Sequence, residues 1–553
     1  MDSNKVPQLF RAQVEGRCQL QNPRTDDAQR WAYEWIAKAD RRAPAFSRTV
    51  RQRRYRITWR FVTNGGQDDG VIRPVLGARG WPYYPGSSMK GAFRSACRQA
   101  APDKVIRYCG GSDGQGGWRP GILRFHGGYP ANADWQQRER LVDLVHPQEG
   151  VQVEASSSRH SAFALFSLYR PELRFALSSN KPLEDVEWTE IWSIWEKALS
   201  HGIGSRVSAG YGRVVREQDG ERELLVADPL VSVHLTGQGQ ASYLLTKASP
   251  RPAEFRPNMF KAALRGHTRR LFGGFVDEAT AEELTYELWG GIQGKAKAGL
   301  LGVVFNGEAE LGTHGRGSFA VPTYTVKDGW LRVVQTRDIP DERCHELIKL
   351  VARLMQFSLL LGGFGKSWRR VDHRLFYPQY YTDSNKPLIG CHWKLSEKKL
   401  HPVYVTINDL QDVGKAIEKI RNQCHRWIMS HPNIKLREKP CHWREAWHAD
   451  KVQVWGRVAS DKADSRAVSW FHGPYQNQAT IKGSELTGRL GAIGRIWHRM
   501  YPRVIREADH LVAKPEFVEL LTLFPDSSQQ TQRFINFLAT PQSGFTKLWP
   551  FEE

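Results

Sequence analysis

Four features recur in the same order in two parts of this 553-residue chain, and that repeat constrains the fold more than any single motif. KGAFR at 90–94 and KAALR at 261–265 each follow a proline and open an apolar helix face. Each is followed by a glycine-led apolar strand, PGILRF at 120–125 and AGLLGVVF at 298–305. Next comes a helix, IWSIWEKALS at 191–200 and CHELIKLVARLMQFSLLL at 344–361. Each helix runs into a glycine loop, HGIGSRVSAGYGRV at 201–214 and GGFGKSWRRVDHRL at 362–375. Ahead of the first set, RRYRITWRFVT alternates Tyr55, Ile57, Trp59 and Phe61 with Arg56, Thr58 and Arg60, the pattern of a half-buried strand.

The order strand, basic helix, strand pair, helix, glycine loop, strand predicts an α+β chain. It has two tandem βαββαβ modules of ferredoxin-like or RRM-like type, each a four-stranded antiparallel sheet with two helices. The expected boundaries are an N-terminal extension over 1–50 with one helix, a first module over 51–225, a second over 226–377 and a C-terminal extension over 378–553. An insertion at about 126–165, containing HPQEGVQVEASSSRH, reads as a long hairpin or thumb. The last region is rich in Trp and His, and its pattern does not resolve into a fold.

Lys and Arg number 79 against 58 Asp and Glu, a formal charge of +21, with 11% aromatic residues. That balance points to a polyanion, above all nucleic acid, because each neutralised phosphate releases counterions. Seven scattered cysteines form no disulfide framework, which predicts a reducing, cytoplasmic setting. No apolar run reaches membrane-helix length, and no membrane partner is expected.

In YYPGSSMKGAFRSACR, at 83–98, Pro85 and Gly86 turn the chain and Ser87 or Ser88 is a good N-cap. Lys90, Arg94 and Arg98 then share one helix face beside free backbone amides, an arrangement suited to an anion. Glycine loops add concave nests of amides. Arg206 and Arg213 in the first loop, and Lys366, Arg369 and Arg370 in the second, supply charge and bidentate donors. With Lys261 and Arg265 on the second basic helix, these residues make two tracks that read backbone rather than bases.

PGSSMKGAFR followed at a distance by GIGSRVSAGYGRV resembles the RAMP superfamily, specifically the backbone subunits of type III CRISPR effector complexes. The likeness covers roughly 55–215 closely and 230–377 more loosely, where PNMFKAALRG departs from the usual signature. It implies two fused backbone modules, similar to the fused subunits of type III-D systems. Its implied partners are a guide CRISPR RNA, a complementary single-stranded target RNA and other effector subunits, with a thumb that displaces a guide nucleotide.

The resemblance also implies metal-dependent cleavage of target RNA by an Asp between the first strand and the basic helix. In GGQDDGVIRPVLG that position is Asp69, with Asp68 beside it, and the implied cofactor is Mg²⁺ or another divalent ion. By residue type alone, such a pair is a turn former. The corresponding second loop, TGQGQASYLLTKASPRPAEFR, has Glu254 as its only carboxylate, so one active site is expected. Two other readings stand beside this one: a non-catalytic RNA-binding scaffold of the same complex, and a metal-independent guide-processing endoribonuclease using His146 or His160. An RRM-type messenger binder expects aromatic runs inside strands, and none occurs. The dipeptides Cys391-His392, Cys424-His425 and Cys441-His442 have spacings that match no standard zinc pattern, so buried thiols are favoured over structural zinc.

Overall fold

A computed structural model describes residues 25–551 apart from 64, 69–70, 113–115, 146–152, 155–162, 219, 247–250, 294, 316–319, 366–370, 378–389, 397–402, 489–493 and 509. The chain divides into two compact units. The first comprises the described residues of Met1–His146, Ser161–Pro229 and Tyr243–Pro252; the second comprises those of Pro147–His160, Leu230–Ser242 and Ala253–Glu553.

In the first unit the elements are α1 (Thr25–Lys38), β1 (Arg51–Ile57), α2 (Gly86–Ala100), β2 (Leu123–Pro130), β3 (Glu172–Ser179), α3 (Asp185–Ser200), β4 (Val214–Gln218) and β5 (Glu221–Leu225). The sheet runs β5-β4-β1-β3-β2, and each registered pair is antiparallel. Within the βαββαβ order this is fourth, first, third, second, the ferredoxin-like arrangement. Tyr55, Ile57, Leu173, Phe175 and Leu177 point to one side and form a core with Met89 and Phe93 of α2 and Ile191, Trp192 and Trp195 of α3. Two-residue periodicity on the strands meets helical stripes on α2 and α3, so one face of the sheet is closed and the other carries no helix of the module.

The second unit repeats the order with β6 (Pro229–Gln240), α4 (Asn258–Phe272), α5 (Glu278–Trp289), β7 (Leu301–Gly307), β8 (Val321–Gln335), α6 (Asp341–Phe357) and β9 (His392–Leu395). Its sheet runs β7-β8-β6-β9, again fourth, first, third, second when read from β9. An added strand, Glu310–His314, pairs with β8.

The C-terminal region, unreadable from its sequence pattern, folds as a third copy of the same topology. After α7 (Gln411–Met429) come β10 (Gln453–Ala459), α8 (Ala467–His472), β11 (Ile496–Glu507), β12 (His510–Leu523), α9 (Gln529–Leu538) and β13 (Thr546–Trp549). The sheet order β11-β12-β10-β13 is once more fourth, first, third, second read from β13. Trp455, Leu521 and Leu523 face α8 and α9, whereas Val454, Val518 and Leu520 join the core of the second module. With apolar residues on both faces the strands lack clean alternation, and this masked the repeat.

The insertion forms a hairpin: Val142–Val145 pairs antiparallel with Phe163–Phe166. Its middle belongs to the second unit, where Val153 is buried in the core and the Glu154 carboxylate meets the Arg269 guanidinium at 2.5 Å.

Glu519 of β12 is 0% exposed and organises the third module. It accepts hydrogen bonds from the backbone N–H of Arg466 and Ala467 at the start of α8, from Arg457 Nε at 2.6 Å, and from Ser465. Burial alone would raise its pKa; hydrogen bonds from His498 and Ser465 and the Arg457 charge outweigh this and hold it at about 2. Because the folded value lies below the ordinary carboxylate range, the stabilisation is complete above that range and is lost as pH falls toward 2. Glu519→Gln should destabilise the second unit by about 3 kcal/mol or more at neutral pH, with the deficit shrinking in acid, as read by denaturant melts across pH.

Candidate nucleic-acid interface

The ladder of β1 ends at Ile57, and the chain bends before Arg60–Phe61 pairs with Leu168–Tyr169. Residues 60–63 then touch three elements that carry candidate site residues. Arg60 is 0% exposed and donates from Nη1 to the Arg140 carbonyl at 2.8 Å and to Ser167 Oγ at 2.5 Å. Its own carbonyl accepts from the N–H of Gly212, and the Val62 carbonyl accepts from that of Ser205. Phe61 lies against Tyr84, with ring centroids 6.0 Å apart, just ahead of α2. Thr63 Oγ1 accepts from the N–H of Val75 at 2.8 Å, fixing the loop that contains the two Asp residues.

The first element is the start of α2. The N-cap is Pro85 rather than a serine, and Ser87 and Ser88 sit in the first turn, both exposed. Gly86 permits the early start: a Cβ there would lie 2.1 Å from the Phe125 carbonyl oxygen, so the helix approaches β2 closer than any other residue allows. The Gly86 N–H reaches Tyr83 Oη at 3.1 Å and that of Met89 reaches the Pro85 carbonyl. The amides of Ser87 and Ser88 have no acceptor among the described residues, so they face outward as a donor pair. Lys90 and Arg98 are exposed and Arg94 is half-buried. All three cations bear on the Cys109 thiol, which burial pushes up to about 11 and their charge pulls back, placing them on one side of the helix.

The glycine loop is the second element. Gly204 and Gly212 have φ of +81° and +61°, and a Cβ would fall 2.4 Å from the Val62 oxygen and 1.8 Å from the Ile203 oxygen. Side chains are excluded at both positions by conformation and by space. Arg213 is 2% exposed and donates to the carbonyls of His201 at 3.0 Å and Val207 at 3.2 Å, with a longer bond to Ser200. Burial pulls its pKa down to about 10. The sequence places Arg213 on the ligand side; the fold uses its donors to hold the loop closed. Arg206, half-buried at φ 62°, lies 5.4 Å from the centre of the Tyr211 ring. Tyr211 Oη donates to the buried Asp143 carboxylate at 2.6 Å, and burial pushes the phenol pKa up.

The third element is the hairpin at Gln67–Asp68 and Val71–Ile72, in which Asp68 pairs with Val71. Asp69 lies outside the described residues, and Asp68 is described by its backbone alone. Val71 and Ile72 pair in parallel with Ala164 and Leu165, so the hairpin belongs to one four-stranded sheet with the arms of the insertion. The sequence reading missed this link between the carboxylate loop and the thumb, because parallel pairing of short distant strands leaves no periodic signal.

The second module differs. Lys261 and Arg265 recur on α4, but Arg265 lies over the Tyr286 ring at 5.1 Å, and burial lowers its pKa. His267 Nε2 meets the Gly363 carbonyl at 2.9 Å and so ties α4 to the second glycine loop. Lys366, Arg369 and Arg370 lie outside the described residues, as do His146 and His160. Glu254 is 2% exposed, with Arg256 at 4.0 Å. Cys391, Cys424 and Cys441 are buried, and burial pushes Cys424 up to about 12 and Cys441 to about 11. Among the described residues no three His, Cys, Asp or Glu converge as a metal site. None of the described helices is long and apolar enough to cross a membrane.

Residues 71–215 match the family model of the RAMP superfamily, a span that holds the second hairpin strand, α2, the insertion, α3 and the glycine loop. No curated protein matches the chain. Among solved structures, one entitled "Cryo-EM structure of the Type III-B Cmr-beta bound to cognate target RNA" is similar at 18% identity and a TM-score of 0.23, over 32% of this chain. The chain spans 62% of that structure's matched chain, less than two thirds of its length.

Arg213→Gln should loosen the glycine loop and destabilise the first unit by about 2–3 kcal/mol, from the loss of charged donors to buried carbonyls. Faster limited proteolysis within 201–212, read by mass spectrometry, checks it.

Proposed function

We propose that this chain is an RNA-binding backbone subunit of a type III CRISPR effector complex, and that its first module cuts bound target RNA. The observation that carries the reading is the convergence on residues 60–63 of an outward-facing helix start, a glycine loop and the carboxylate hairpin. The match of residues 71–215 to the RAMP superfamily supports the same assignment. In this account the guide backbone lies on the Ser87 and Ser88 amides with Lys90 and Arg94, contacts indifferent to base sequence. The second module, fused type III-D fashion, holds guide RNA through Lys261, Lys366, Arg369 and Arg370 without cutting.

For cleavage, the chain's task is to hold the target kinked over the hairpin so that a ribose 2′-oxygen lies in line with the scissile phosphorus. As that oxygen attacks phosphorus it releases its proton to solvent, the bond to the 5′-oxygen breaks, and the leaving oxygen takes up a proton from solvent. The products are a 2′,3′-cyclic phosphate and a 5′-hydroxyl. Asp69 and Asp68 are carboxylates, the hard oxygen donors Mg²⁺ prefers, and the flanking pairs Gln67–Asp68 and Val71–Ile72 hold the backbone on either side. These two residues would hold the ion, which when bound supplies charge neutralisation at the phosphodiester.

In the assembled complex with labelled target and Mg²⁺, Asp69→Ala should slow one specific cut by about a hundredfold or more with target binding intact. Glu254→Ala, at a buried position, should leave the cutting pattern unchanged. An unchanged ladder with Asp69→Ala would support the scaffold reading instead.

A further inference from the structure

The first sheet brings two arginines face to face on the side away from α2 and α3. Tyr55, Leu173 and Phe175 point into the core, so Arg54 and Arg174 point the opposite way. Register places Arg54 directly opposite Arg174, and Arg174 directly opposite Tyr129, a row across β1, β3 and β2. Like charges facing each other across a ladder repel. The remaining arginines of β1 are neutralised: Arg51 by Asp185, Arg53 by Glu196 and Arg56 by Glu217. Arg54 alone on this strand has no ion-pair or hydrogen-bond partner among the described residues. Arg174 makes a single long hydrogen bond, to the Ala131 carbonyl at 3.5 Å. Burial and the neighbouring Arg54 lower its pKa, against the opposing pull of Glu172 two residues back on the same strand face.

Aromatic rings border this pair. Tyr129 stacks on Tyr83 with centroids 4.7 Å apart, and Phe46 lies 5.9 Å from Tyr129. All three are half-buried, so each keeps an accessible part. The third module shows what the same face looks like when protein covers it: Val454, Val518 and Leu520 pack there into an apolar core. Facing arginines beside stacked tyrosines are the opposite choice, and match a strand of phosphates with bases to stack.

We propose that the helix-free face of the first sheet is a second contact surface for single-stranded RNA, with Arg54 and Arg174 on neighbouring phosphates and Tyr129 and Tyr83 beside a base. This rests on the reading of the chain as an RNA-binding subunit, and gives that subunit a contact separate from the α2 track. Glu172 offsets the facing arginines only in part, since the net shift at Arg174 is downward; a polyanion removes the remaining repulsion on binding.

The test uses the full chain and a fluorescein-labelled oligouridylate, with binding measured over a range of salt. Arg54→Gln/Arg174→Gln should weaken binding about tenfold and flatten the slope of log affinity against log salt by about 1.4, roughly 0.7 per lost phosphate contact on a single strand. The melting temperature should stay level or rise as the repulsion is lifted, and Arg54→Lys/Arg174→Lys should retain most of the binding. Unchanged affinity and slope in the glutamine variant, beside weakened binding by Lys90→Gln/Arg94→Gln, would overturn this surface while leaving the RNA-subunit reading intact. Failure of the wild type to bind the probe would overturn both. A fall in melting temperature that tracks the loss of binding would mark the arginines as structural and overturn the proposal. So would arginine-dependent capture of polyglutamate in place of RNA, the signature of an acidic protein partner.

Discussion

Arg60 is a fully buried guanidinium whose Nη1 donates to the Arg140 carbonyl and to Ser167 Oγ. Such a group is tolerated only where its donors are satisfied with good geometry. That requirement fixes the bend after β1, and the bend decides where everything else goes. The Arg60 and Val62 carbonyls seat the glycine loop, Phe61 braces the entry to α2, and Thr63 secures the hairpin carrying Asp68. A straight continuation of β1, the simple reading of RRYRITWRFVT, would separate these elements. Trp59 leaves the strand pattern and lies on Tyr211, with centroids 4.6 Å apart, so the alternation seen in sequence continues as packing rather than as ladder.

The chain uses one topology three times, and the start of the first helix is met differently in the first module and in the third. In the first module the Ser87 and Ser88 amides face outward. In the third, Glu519 from a neighbouring strand occupies the equivalent place at α8 and supplies a permanent internal anion. In the second, the end of α4 is drawn into the protein: Arg270 pairs with the buried Glu445, and Arg269 with Glu154 and Glu282. A helix N-terminus attracts negative charge whatever its source. The source therefore separates a module free to take a phosphate from one that has met the need within its own fold.

The repeated order of basic helix, strand and glycine loop was legible because each feature has its own chemistry and recurs. It revealed the βαββαβ order, but the fourth strand of the second module, His392–Leu395, lies beyond the boundary at 377 and within the region read as a C-terminal extension. The third module was not legible because its sheet is apolar on both faces and α8 is a single short helix with no cationic stripe. Lys90 and Arg98 are exposed and Arg94 half-buried between them, on the one face of α2 that their spacing requires. Arg213 looked identical to a ligand-binding arginine, since sequence does not say whether a cation faces phosphate or loop carbonyls. The pairing of the carboxylate hairpin with the insertion arms depends on residues about ninety positions apart, Val71 and Ala164, and such pairing leaves no local trace.

The most direct test of this account is photocrosslinking of 4-thiouridine guide RNA to the assembled complex, with the attached peptides mapped by mass spectrometry. The account predicts adducts in residues 83–98 and 201–214 of the first module, and none at 460–472, where Glu519 already fills the start of α8. Equal labelling of the third module, or labelling there with none on α2, would contradict it.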